Sequence, residues 1–196
     1  MTWNLFRELG RKLLHLLILV VFAVYYFIKN SYGQQLALLM LVAILIIFLM
    51  LEYMRLELGW KMPVFSAFIR PKEYYRMYGV VYFLLSTIIA LAVFDFRIAI
   101  AALLMTTFGD MAAAIVGKTY GTTLAYKNKT WAGCLSGLAV NLVVGFLILG
   151  SMYNIYIILG MALAAAIVET LVDEMDDNLL IPIIAGFAGQ MIKFAF

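Results

Sequence analysis

Seven apolar runs, each 16 to 20 residues long and separated by short polar breaks, constrain this chain more than any other feature. They lie at Leu13–Ile28, Gln35–Leu51, Met77–Phe94, Ile98–Val116, Gly133–Leu149, Tyr153–Val172 and Leu179–Phe196. A helix needs roughly 17 to 25 such residues to cross a hydrocarbon core about 30 Å thick. Several runs sit at the low end of that range, so tilt or local thinning of the bilayer is expected. With 66% hydrophobic and 13% charged residues the chain lies outside the composition of soluble domains. The expected fold is an all-α integral membrane protein of about seven transmembrane helices, with residues 1–196 forming a single domain.

Charge placement orients the helices. Eleven of the fourteen Lys and Arg residues fall before the first run, between the second and third, and between the fourth and fifth. Only Lys29, Arg97 and Lys193 fall on the other side. The positive-inside rule therefore puts the N-terminus in the cytoplasm and the C-terminus outside. A net charge of +3 reads as this surface asymmetry and not as a nucleic-acid footprint. Cys134 is the sole cysteine, so no internal disulfide forms. The first run has no small-residue cleavage site behind it and is expected to stay as an anchor. The connections on the outer side are too short to build a site.

Four polar stretches gather on the cytoplasmic side. In ELGRKLLHL, the spacing of Glu8, Arg11, Lys12 and His15 places all four on one stripe of a helix. Such a stripe suits a phosphate, or a snorkelling anchor. His15, the single histidine, lies a turn inside the membrane segment, where polar groups are costly and tend to be used. In FGDMAAAIVGKTYGTT, Asp110 follows the twelve uncharged residues Ile98 to Gly109. If the fourth helix continues through it, Asp110 lies roughly 9 Å below the end of that helix and needs Mg²⁺ or a facing Lys or Arg. Ala112, Ala113, Ala114 and Gly117 allow close approach, while Gly117 and Gly121 are expected to bracket a turn that presents Lys118.

The third stretch, KNKTWAGCLSG, sets Lys127 and Lys129 before Thr130, with Gly133 and Gly137 opening the fifth run. Lysines beside a glycine-rich helix N-terminus are ingredients of a phosphate cradle, although no Walker A pattern occurs. In ETLVDEMDDNLLIPI, five acidic residues crowd into the nine positions from Glu169 to Asp177, with Asn178 beside them. A divalent cation relieves such repulsion, and Mg²⁺ typically takes one or two carboxylates together with substrate phosphates and water. Basic and acidic groups sharing one face of an apolar chain suggest phosphoryl chemistry between a nucleotide and a lipid.

The order of these blocks is Glu8-Arg11-Lys12-His15, Arg70 to Glu73, Gly109-Asp110 with its small residues, Lys129-Thr130 to Gly133, and Glu169 followed by Asp176-Asp177-Asn178 and Ile181-Pro182. This order resembles the CTP-dependent lipid alcohol kinases, the family of dolichol kinase, phytol kinase and the CTP-using diacylglycerol kinase. The resemblance implies an all-helical membrane enzyme that moves the γ-phosphate of CTP to the hydroxyl of a long-chain lipid, of dolichol or polyprenol type, with Mg²⁺ or another divalent cation. It implies Asp110, Asp177 and His15 as catalytic residues. Metal ligands would come from Asp110, Glu169, Asp176 and Asp177, with Glu169 either a third ligand or the residue that orients a lysine. Nucleotide contacts would come from Arg11, Lys12, Gly109, Gly117, Lys118, Gly121, Lys129, Thr130, Gly133 and Asn178.

Two other classes compete. CDP-lipid synthases transfer a cytidylyl group to a lipid phosphate, but their longer glycine- and aspartate-rich signature is absent. A transporter or scaffold would run its charges across the membrane, whereas here they cluster at one face.

Overall fold

The computed structural model describes residues 19–59, 76–127, 129–172 and 175–196, and among them it contains a helix at each of the seven expected places. These are α1 (19–32), α2 (Gln34–Glu57), α3 (Gly79–Val93), α4 (Phe96–Tyr120), α5 (Trp131–Leu149), α6 (Ile155–Leu171) and α7 (Asp177–Ala195). Four of them, α2, α4, α5 and α7, are long and apolar enough to cross a membrane, and α3 and α6 are shorter apolar helices. A two-stranded antiparallel hairpin, β1 (Leu124–Tyr126) and β2 (Lys129–Thr130), joins α4 to α5 where the sequence suggested only loop. Two compact groups divide the chain, residues 1–88 and 89–196.

In the first group, α1 and α2 are joined through Gly33, whose φ of +96° is a conformation that other residues rarely adopt. A buried ion pair closes the far end of α2. Glu52 is only 3% exposed, and its two carboxylate oxygens accept from Arg55 Nε at 3.0 Å and Nη2 at 2.7 Å. The Tyr78 amide also donates to Glu52 at 3.2 Å, and Arg55 donates to the Arg76 carbonyl at 2.7 Å while lying over the Tyr78 ring. Two polar side chains on one helix thus fasten the residues that lead into α3. Because breaking a buried pair strands a charge, Arg55→Met should cost about 3–5 kcal/mol. Thermal unfolding in detergent checks this, and Arg55→Lys, which keeps the charge, should cost less.

In the second group, α4 runs antiparallel to α5 along a seam of small residues. A Cβ added at Gly133 would lie 2.9 Å from the Ala113 carbonyl oxygen and 3.2 Å from Gly117 Cα. One added at Gly137 would lie 3.2 Å from Ala113 Cβ, and one at Gly145 would lie 3.0 Å from Met105 Cε. Gly109 in turn faces Asn141. Every fourth residue of α4, from Met105 through Gly109 and Ala113 to Gly117, therefore meets every fourth residue of α5, from Gly145 through Asn141 and Gly137 to Gly133. Without side chains to separate them the backbones approach directly, which is how helices associate in lipid, where no hydrophobic force draws them together. At the other end, α7 reaches back to the start of α4, where Lys193 pairs with Asp95 and Gln190 Oε1 accepts from the Asp95 amide at 2.9 Å.

Candidate active site

Within α4, residues Met105–Gly109 form a π-helical turn, and Asp110 resumes the α-helix. Thr106 and Thr107 stabilise this widened turn, their hydroxyls donating to the carbonyls of Ala102 at 2.8 Å and Leu103 at 3.0 Å. Such turns bend a helix and occur often at functional sites. Helices α5, α6 and α7 all pack against it. Measured from Phe96 at about 1.5 Å per residue, Asp110 lies roughly 21 Å along the helix. Asp110 is half-buried.

The helix does not stop at Gly117. It continues to Tyr120 with Gly121 as its C-terminal cap, so the expected turn between Gly117 and Gly121 is replaced by helix and Lys118 projects from it, exposed. The reason lies in the seam: Gly117 sits against Thr130 Oγ1 and Gly133, and Gly121 sits against Thr130, so both glycines serve helix contact. Gly133 does the same. Its amide donates to Thr130 Oγ1 at 3.3 Å as the N-terminal cap of α5, and the Trp131 amide donates to the Thr123 carbonyl at 3.1 Å. These two amides are thereby committed within the chain.

Glu169, in the last turn of α6, is buried, with its Oε1 4.0 Å from Lys129 Nζ, and the lysine is about one-third exposed. Its Oε2 lies beside Gly137, where an added Cβ would be 3.3 Å from that oxygen and 3.4 Å from the Gly109 carbonyl oxygen. The glycines at 109 and 137 thus let a carboxylate from a third helix reach the turn that carries Asp110. A neighbouring Ser136 hydroxyl donates to the carbonyls of Gly133 at 2.8 Å and Ala112 at 3.2 Å, tying the seam at the same level.

Helix α6 ends at Leu171, so Glu169 and the Asp176-Asp177-Asn178 block belong to different helices. Asp176 caps α7, its Oδ1 accepting from the Asn178 amide at 3.0 Å and from Asn178 Nδ2 at 2.7 Å, while Asp177 Oδ1 also accepts from the Asn178 amide at 3.1 Å. Asn178, 4% exposed, therefore holds Asp176 in place. Among the described residues no three His, Cys, Asp or Glu side chains come together as a metal-holding group. Arg11, Lys12, His15, Arg70, Glu73 and Asp173 lie outside the described residues.

Asn141, in the middle of α5, escaped the sequence reading. It is 1% exposed, and its Oδ1 faces Gly109. The available signal was its lone amide inside the otherwise apolar stretch Leu138 to Leu149, where a polar group needs a reason.

Comparison with known proteins agrees with the motif order. The family model described as the cytidylyltransferase family matches residues 4–176. CTP-dependent diacylglycerol kinase 1 of Eremothecium gossypii is 33% identical over 82 residues, which is 41% of this chain and 26% of that protein. The chain thus aligns with about a quarter of that relative's length. No solved structure matches. A match running from residue 4 through the Asp110 turn to Asp176, just before α7, covers most of the chain, and on it the chain belongs to the cytidylyltransferase family.

Proposed function

We propose that this protein is a CTP-dependent lipid kinase, transferring the γ-phosphate of CTP to the hydroxyl of a membrane lipid alcohol. It would cross the membrane seven times, with its N-terminus and its active face in the cytoplasm. The observation that carries the reading is the meeting of three helices at Gly137, where the buried Glu169 holds Lys129 beside the π turn bearing Asp110. Paired charges of this kind, enclosed by small residues in an apolar bundle, suit a triphosphate that must meet a hydroxyl held in lipid. The CTP-dependent kinase relative supports the same donor.

Phosphoryl transfer asks mainly for positioning and charge neutralisation. Lys129, steadied by Glu169, and Lys118 would neutralise the oxygens around the transferred group, and the motif resemblance adds Arg11 and Lys12 to these phosphate partners. Asp110 and the Asp176–Asp177 pair would hold Mg²⁺, which when bound neutralises phosphate charge. The lipid oxygen bonds to the γ-phosphorus as the bridge to the β-phosphate breaks, CDP leaves, and the hydroxyl proton passes to Asp110, with His15 as the other candidate base.

The acceptor in the relative's name, diacylglycerol, stands beside the dolichol or polyprenol, phytol and geranylgeraniol that the motif resemblance implies. The test is transfer from γ-labelled CTP or ATP, with Mg²⁺, to that panel by purified protein in detergent. Label in one lipid alcohol, with CTP preferred and CDP released, is the expected result. The family's description favours a second reading, cytidylyl transfer; pyrophosphate release and a CDP-lipid formed from a lipid phosphate, with no alcohol labelled, would establish it instead.

A further inference from the structure

We infer that Asn141 binds the hydroxyl of the lipid acceptor, its Oδ1 accepting the hydrogen bond that aligns this hydroxyl with Asp110; the inference rests on the kinase reading. Asn141 is buried at the centre of α5, and its Oδ1 has no hydrogen-bond partner among the described residues. An enclosed amide oxygen left without a donor is costly, and more so among apolar helices, so such an atom calls for a partner that the folded chain does not itself supply.

The surroundings narrow that partner. The two hydroxyls of the π turn on α4 donate elsewhere, Thr106 to the Ala102 carbonyl and Thr107 to the Leu103 carbonyl. Gly109 faces the amide so closely that a Cβ there would lie 2.2 Å from Oδ1, so the glycine makes the space that Asn141 fills. The next residue is Asp110. The Glu169 carboxylate stands one turn along the same face of α5, beside Gly137.

A carbonyl oxygen requires a donor. The phosphates of CTP offer only acceptors and its donors belong to a polar ribose and cytosine, whereas a lipid alcohol offers one O–H on an apolar chain, which suits a site enclosed by helices. With Oδ1 accepting that O–H, the hydroxyl is held at the turn of α4 that leads into Asp110.

The test measures steady-state transfer in mixed micelles by wild type, Asn141→Ala and Asn141→Leu, with dioleoylglycerol, phytol and a polyprenol as acceptors. Losing this hydrogen bond should lower kcat/KM for the phosphorylated lipid about tenfold or more, with KM for CTP within about twofold of wild type. The Leu variant replaces the orphaned amide with apolar bulk, so its thermal midpoint in detergent should match or exceed wild type while transfer falls. A merely structural asparagine would show the opposite, a lowered midpoint with kcat/KM for the lipid preserved in whichever variant folds, and that result overturns the inference. A rise confined to KM for CTP overturns it too. Wild-type protein that phosphorylates none of the alcohols removes the kinase reading, and this inference falls with it; a wild type that transfers beside variants of equal lipid kcat/KM removes the inference alone.

Discussion

Asp110→Asn is expected to lower phosphate transfer from CTP by about two to four orders of magnitude, the range associated with loss of a general base. The substitution keeps the shape of the side chain and the π turn that precedes it, and removes only the charge. A neutral amide is cheaper than a carboxylate in the lipid interior, so the thermal midpoint of the variant in detergent should equal or exceed that of wild type. Activity and stability would then move in opposite directions or independently, which separates a functional carboxylate from a structural one. Near wild-type transfer by Asp110→Asn would remove Asp110 from the chemistry. The parallel substitution Asp177→Asn probes the start of α7, where the same charge-only change should abolish turnover without altering the Asp176 cap that accepts from Asn178.

The helices were legible because apolar run length follows from bilayer thickness: among the described residues a helix falls on each of the seven runs, and four are long and apolar enough to cross a membrane. Lys129, Glu169 and Asp110 were legible as charges out of place. What could not be read was their mutual arrangement. The π turn at Met105–Gly109 is a change of hydrogen-bond register, and its threonines look in sequence like ordinary polar breaks. The helix contacts of Gly117, Gly121 and Gly133 were illegible for a related reason. A glycine's missing side chain serves a phosphate loop and a helix seam equally well, and only the facing residue tells them apart: here Thr130 and the opposite helix. The four-residue spacing of 109, 113 and 117 against 133, 137 and 145 contained that answer, but it becomes evidence only once the two helices are known to pair. Asn141 was overlooked because a single amide barely disturbs the hydropathy of an apolar run. Its importance comes from facing Gly109, which is a property of the pair.

Gly133→Ala and Gly109→Ala introduce the same methyl group into the same seam and should fail for different reasons. At Gly133 the new Cβ would lie 2.9 Å from the Ala113 carbonyl oxygen, an atom of the backbone, so α4 and α5 must separate. Overpacking of this kind costs about 1–3 kcal/mol, which for a chain of this size lowers the thermal midpoint by roughly 2–4 °C per kcal/mol. Separation also moves Lys129 from Glu169, whose contact is already 4.0 Å, and a displacement of 1 Å can cost on the order of 100-fold in rate. Leu135→Ala on the exposed face of the same helix should leave stability and transfer nearly unchanged. At Gly109 the obstacle is a side chain, Asn141, with its Oδ1 only 2.2 Å from the added Cβ. Adding Asn141→Ala to Gly109→Ala should therefore restore the midpoint towards wild type, while no side-chain change at position 113 can relieve Gly133→Ala, because the clash there is with a main-chain oxygen. Thermal unfolding of the two single variants and of the double variant decides it. Equal midpoints for Gly109→Ala with and without Asn141→Ala would mean that the amide does not occupy the gap opposite Gly109.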